Sequence, residues 1–236
     1  HIPFRLIQTT PNHKLPRSAR RYVRTWHDFH PDLEHYLATD EEMWPFVTEF
    51  YNDTVVQAMK RLPLGVIRGD IFRLMVIYQY GGFYADVDVM LAKPIDDFGV
   101  DWNKCTFYTE EMGNRMAFTQ FMFGSSPKNP LVGHILDQAI HRLLTEKVDT
   151  SNKHFVGDVA GPQAFTQAIR EYIEQHYSQY IHSSANLHDF VLKNQEALEE
   201  KAGICVLPFR PEPWSEGVVR EIFGYLTGSN TPRIRH

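Results

Sequence analysis

The chain has 236 residues, is 43% hydrophobic and carries a formal net charge of −5. Such a length and apolar fraction suffice for the core of one α/β domain. The acidic balance, without a broad basic face, argues against a nucleic-acid partner, and no run of about eighteen apolar residues offers a membrane span.

In chain order, Phe4 to Gln8 reads as a first strand, and a Pro-bounded loop follows it. Arg17 to Phe29 reads as a helix, and Leu33 to Ala38 as a short strand. Asp40-Glu41-Glu42 is expected to open a further helix with acids in its first turn, where they complement the helix dipole. An apolar helical segment then carries Asp70 and Arg73, three residues apart and hence on one face. It stops at Gly81-Gly82, residues that accept the positive φ of a helix end. A short β-like run delivers Asp86 and Asp88 beyond this stop. Thr106 to Thr109 and Ala117 to Phe123 read as strands with aromatic alternation. Leu131 to Thr145, Gln163 to Tyr177 and His188 to Lys201 read as amphipathic helices. From Pro208 the tail is rich in Pro and Gly and reads as loop. Alternating strands and helices predict one α/β domain over residues 1–236, a mixed, mostly parallel sheet with helices on both faces. Ligands in such folds sit at the carboxyl ends of strands.

The chemistry concentrates between Arg68 and Pro94. An isolated Asp-x-Asp is common and usually a pair of solvated loop acids. In a strand, however, residues two apart share a side, so Asp86 and Asp88 would converge while Val87 and Val89 face the core. Mn²⁺ and Mg²⁺ favour oxygen ligands and take one or two carboxylates plus substrate phosphates. The structural alternative makes Asp70 an N-cap and Arg73 its partner on the helix surface. The twelve histidines are scattered, without zinc-site spacing. Cys105 and Cys205 read as two buried free thiols; a bridge between them in a lumenal protein is the alternative. Asn52-Asp53-Thr54 is the one usable glycosylation triplet.

Asp70, Arg73, Gly81, Gly82, Tyr84, Asp86 and Asp88 match a pattern of the form (S/A)DxxRxxxLxxxGGxYxDxD. In this the chain resembles the sugar-binding region of glycosyltransferase family 32. Ile2-Pro3 with Leu6-Ile7-Gln8-Thr9 resembles the family's IPKxIHQTW first strand, and Ser18 to Asp32 its SW…NPD stretch. Ala160-Gly161-Pro162 with Phe165-Thr166, and Val206-Leu207-Pro208, resemble segments of yeast-type initiating α-1,6-mannosyltransferases. The DxD neighbourhood is also similar to that of the clostridial glucosylating toxins.

The resemblance implies a single-domain GT-A-type fold, with a nucleotide-sugar half over about residues 1–110 and an acceptor half over about 111–236. It implies a metal-dependent retaining glycosyltransferase that moves a hexose, with mannose favoured, to a glycan or glycolipid hydroxyl. GDP-mannose is the favoured donor and a UDP-hexose the second candidate. Asp86 and Asp88 would hold Mn²⁺ or Mg²⁺, with Asp88 in the more direct contact. Asp70 and Arg73 would bind sugar hydroxyls, Tyr84 would pack beside the donor, and Gln8 and Thr9 would meet the nucleoside. Gln120 is the candidate beneath the sugar ring, and the catalytic set is Asp86, Asp88, Arg73 and Gln120. Trp26 reads as core. Eukaryotic members place this chemistry in the Golgi lumen behind an upstream membrane anchor. One departure stands out: where the family has a His and then a Gly-Ser-Trp-like segment, this chain has Tyr225-Leu226-Thr227-Gly228-Ser229-Asn230. Ser229 and Asn230 are the substitute oxygen ligands in the donor site. Two rivals are a catalytically silent nucleotide- or sugar-binding module on the same fold, and an Asp-nucleophile phosphatase, which expects Thr or Val where Met90 stands.

Overall fold

A computed structural model describes residues 1–62, 65–112, 115–145, 159–208 and 218–220. Six strands form one sheet in the order β2-β1-β3-β6-β5-β7, with β1 spanning Arg5–Thr10, β2 Glu34–Thr39, β3 Gly82–Ala85, β5 Cys105–Met112, β6 Arg115–Ser125 and β7 Ile204–Pro208. The pairings β1/β2, β1/β3 and β5/β7 are parallel, whereas β6 runs antiparallel to both β3 and β5. The sheet is therefore mixed and mostly parallel, as the alternation of elements predicts.

Period-two burial splits the strands between two apolar layers. In β1, Ile7 joins the larger core and Leu6 the smaller; in β3, Tyr84 joins the larger, and Phe83 and Ala85 the smaller. The larger core is closed by α2 (Met43–Phe50), α3 (Asp53–Arg61), α4 (Gly65–Tyr80), α5 (Pro130–Thr145), α6 (Pro162–Tyr177) and α7 (Leu187–Glu200). Helix α1 (Arg17–Phe29) covers the opposite face through Trp26, since its buried residues Ala19, Tyr22 and Trp26 recur at helical spacing. Helix α4 is buried almost continuously from Asp70 to Ile77, which explains its weak amphipathicity: it lies between the sheet and α5 rather than on the surface.

Several expectations change. Asp40 and Glu41 precede α2 rather than occupying its first turn, and Glu42 stands at its N-cap. Thr39 and Glu42 exchange reciprocal bonds there, Thr39 N–H to Glu42 Oε2 at 2.9 Å and Glu42 N–H to Thr39 Oγ1 at 3.2 Å. Asp70 is no N-cap, because α4 begins at Gly65 and places it mid-helix. Strand β3 ends at Ala85, so Asp86 and Asp88 lie in a turn and not in a strand. Val87 is accordingly only half-buried, while Val89 is fully buried. The tail contributes a strand, β8 (Val218–Arg220), which pairs with β4 (Val89–Leu91) directly after the Asp pair.

Cys105 and Cys205 are free and buried. Strand register explains why they do not pair: Cys105 lies opposite Ile204, so Cys205, one residue on, faces the other side of the sheet. Desolvation pushes the Cys105 thiol up to about 12 and raises that of Cys205.

Candidate active site

The site forms where the carboxyl ends of β1 and β3 meet helix α4 and the middle of β6. Its position depends on the two glycines that end α4. Gly81 and Gly82 adopt φ of +67° and +105°, and a Cβ on Gly81 would lie 2.7 Å from Pro127. Side chains are disfavoured at both positions. The chain thereby reverses directly from helix into strand. Pairing of β3 with β6 ends with a bond from Asp86 N–H to Phe121 O at 2.8 Å. Val89 N–H then returns to Asp86 O at 3.0 Å and closes the Asp86–Val89 turn.

Helix α1 secures the far side of this turn. Trp26 Nε1–H donates to Val89 O at 3.0 Å, and Leu91 N–H donates to Thr25 Oγ1 at 2.9 Å. Trp26 is 1% exposed, so its ring is core, and its polar edge anchors the acidic loop. Thr25 escapes sequence reasoning because nothing local marks a residue that bonds a backbone group 66 positions away.

Arg73 is the hub. Its guanidinium pairs with Asp70 Oδ1 at 2.7 Å and Asp86 Oδ1 at 3.3 Å, donates to Gln120 O at 2.7 Å, and lies 4.6 Å from the centre of the Tyr84 ring. Burial alone would lower its pKa; Asp86 above all, then Tyr84, Asp70 and Asp88, hold it above the ordinary arginine value. One guanidinium thus faces three carboxylates, which concentrates negative charge around it. Tyr84 is fully buried, its ring beneath Arg73. Its hydroxyl donates to Asp86 Oδ1 at 2.8 Å and lies 2.9 Å from Thr9 Oγ1; burial raises its pKa, keeping it protonated as a donor. Gln8 Nε2–H donates to Asp86 O at 3.1 Å.

Gln8, Thr9, Asp70, Arg73, Tyr84, Asp86 and Gln120 are thus brought into one network by five separate elements or turns. Asp88 joins it electrostatically through Arg73. Ser229 and Asn230 lie outside the described residues. Among the described residues Gln8 Oε1, Gln120 Oε1 and Arg73 Nε are buried without a hydrogen-bond partner. Each such group costs roughly 1–3 kcal/mol, a cost that native proteins tend to carry at functional positions.

Among the described residues no group of three or more His, Cys, Asp or Glu is arranged to hold a metal ion by itself. The donor set is instead two carboxylates on one turn, with Asp86 Oδ1 already engaged by Arg73 and Tyr84. Such a set does not enclose an ion, but it fits a hard cation that completes its shell with water and phosphate oxygens.

This architecture, a mixed sheet with helices on both faces, is of the GT-A type. A solved structure, PaToxG glycosyltransferase, shares the fold with a TM-score of 0.54 at 19% identity, over 86% of this chain and 80% of that one. Residues 16–104 match the family described as glycosyltransferase sugar-binding region containing DXD motif. Over these residues the chain is similar to the sugar-binding region of DXD-containing glycosyltransferases.

Among curated relatives, the initiation-specific alpha-1,6-mannosyltransferase of Schizosaccharomyces pombe is 26% identical over 215 residues, covering 78% of this chain and 52% of that protein. The enzyme of the same description from Saccharomyces cerevisiae is 35% identical over 104 residues, 41% of this chain and 22% of that protein. Inositol phosphoceramide mannosyltransferase 3 of S. pombe is 33% identical over 95 residues, 40% of this chain and 26% of that protein. The chain spans about half or less of the length of these relatives.

Proposed function

We propose that this chain is the catalytic part of a metal-dependent, retaining glycosyltransferase that moves a hexose from a nucleotide-sugar to a hydroxyl of a glycan or glycolipid. The observation that carries this reading is the convergence of Asp70, Asp86 and Asp88 on Arg73, at the carboxyl end of β3 and within the matched region. Mannose, delivered from GDP-mannose, is the favoured sugar because the curated relatives are described as mannosyltransferases. Their yeast origin and descriptions support a place in the secretory pathway, and we assign the Golgi lumen.

Asp88 and Asp86 would hold Mn²⁺ or Mg²⁺, with Asp88 more direct because Asp86 Oδ1 is shared between Arg73 and Tyr84. The ion supplies charge neutralisation on the departing diphosphate. Asp70 and Arg73 orient the donor sugar, Gln8 and Thr9 bound the nucleoside side, and Gln120 lies beneath the ring. Retention is consistent with a site whose described acids, Asp70, Asp86 and Asp88, all lie around Arg73. The acids to examine for an inverting route are Glu110, Glu111 and Asp158, the last of which lies outside the described residues.

A screen of nucleotide-sugars with Mn²⁺, following release of nucleoside diphosphate, tests the activity; GDP-mannose should turn over fastest. Absence of turnover with every donor would favour a silent binding module. Proton NMR of the new anomeric centre tests the stereochemistry: an α-linked donor should give an α-linked product, and a β-linked product overturns retention.

A further inference from the structure

Beyond the donor site, β6 leads into an open groove of about 810 Å³, lined among others by Met116, Ala117, Gln163, Gln167, Glu171 and Asn186. Its size falls within the range of small-molecule sites, roughly 300–1,000 Å³. The groove and the donor site lie along the same strand. Gln120, whose carbonyl accepts from Arg73, and Ala117 lie three residues apart on β6. Between them Phe118 N–H donates to Thr166 Oγ1 at 2.9 Å and fixes α6 against the strand. The Gly161-Pro162…Phe165-Thr166 segment makes this joint, with Phe165 buried against Phe107 and Phe123.

Gln163, Gln167, Arg170, Glu171 and Glu174 recur at helical spacing, so one polar stripe of α6 forms the floor. Gln167 Nε2–H donates to Glu171 Oε1 at 2.7 Å, which pre-orients both planar groups. Arg170 is the cation among the described lining residues, and it is engaged elsewhere. It donates to Ser184 O at 2.5 Å and Ala185 O at 3.3 Å, pairs with Glu174 at 3.5 Å, and sits over the Phe190 ring at 5.1 Å. The described lining therefore offers amides and carboxylates to hydroxyl groups, and no uncommitted cation to a phosphate.

We propose that this groove is the acceptor subsite and that it takes a neutral, hydroxyl-rich glycan in preference to an anionic phosphorylated acceptor. The assignment deepens the glycosyl-transfer reading and rests on it for the word acceptor, but the recognition chemistry is independent of donor turnover.

Calorimetric titration of the unaltered chain without donor tests it, using a neutral α-linked mannose oligosaccharide and inositol phosphate as probes. The oligosaccharide should bind at least about tenfold more tightly than inositol phosphate, a difference of about 1.4 kcal/mol. The Gln167→Ala, Glu171→Ala double variant should weaken oligosaccharide binding about tenfold while its melting temperature and its affinity for nucleoside diphosphate stay unchanged. Equal or tighter binding of inositol phosphate overturns the proposal, as does absent oligosaccharide binding or undiminished binding by the double variant. Oligosaccharide binding without donor turnover would instead overturn the enzymatic reading and leave the groove assignment standing.

Discussion

The Tyr84 hydroxyl donates to Asp86 Oδ1 at 2.8 Å from a ring that is fully buried. One carboxylate oxygen of the DxD is therefore fixed by the core, and the same oxygen faces Arg73. Geometry at the acidic turn is inherited from the packing of β3 rather than from the turn itself.

Metal dependence is the first consequence. Sugar transfer should vanish in chelator and return with Mn²⁺. Asp88→Asn should lose several orders of magnitude in rate with an unchanged melting temperature, because the loss is one of transition-state charge stabilisation. Undiminished transfer by an Asp86→Ala, Asp88→Ala double variant would falsify the assignment.

Burial of the Asp70–Arg73 pair separates the two ends of the donor. Asp70→Asn keeps a polar partner for Arg73 and should impair sugar transfer while nucleoside diphosphate still binds. Arg73→Met removes an ion-pair partner of the 2%-exposed Asp70 and should cost about 3–5 kcal/mol of stability. Calorimetric titration with GDP and UDP, alongside melting curves, distinguishes these outcomes; parallel losses of stability and nucleotide affinity in Asp70→Asn would remove its donor role.

The anchors from α1 make a subtler prediction. Thr25→Val and Trp26→Phe each delete one bond to the segment after the DxD and should destabilise by about 1–3 kcal/mol. Both should also raise the donor KM by loosening the acidic turn. Normal KM in a folded variant would confine these residues to a structural role.

Gly82→Ala tests the reversal from α4 into β3. At φ +105° any Cβ is strained, and here it would also meet Arg5. Stability should fall by more than 1 kcal/mol, roughly the threshold set by such backbone strain, measured by chemical denaturation.

Acid sensitivity is expected from His35, whose pKa burial and the neighbouring His27 depress from 6.5 to about 4. The unfolded chain takes up this proton first, so the contribution is full above 6.5 and is lost as pH falls towards about 4. His35→Gln should flatten the melting temperature over that window; an unchanged slope would show that other groups dominate.

Local chemistry made much of the molecule legible in the sequence. The helix over Arg17 to Phe29 matches α1 residue for residue, and the strand and helix alternation yields the mixed sheet, because apolar periodicity and glycine stops act over one or two turns. The motif from Asp70 to Asp88 likewise named most of the residues that converge on Arg73. Sequence also determined that Gly81 and Gly82 end the helix, since positive φ is a property of the residue itself.

Only the tertiary structure decided what those residues do to one another. Whether Asp86 and Asp88 share a strand face or a turn depends on where β6 stops pairing with β3, a contact between segments far apart in the chain. Asp70 reads as a cap until the helix start is known, and Gln120 contributes a backbone carbonyl to Arg73 that no side-chain motif encodes. The anchors Thr25 and Trp26, the misaligned faces of Cys105 and Cys205, and the groove beside α6 arise from long-range register. Register is set by the joint burial of both sheet faces, and so it belongs to the packed chain rather than to any window of its sequence.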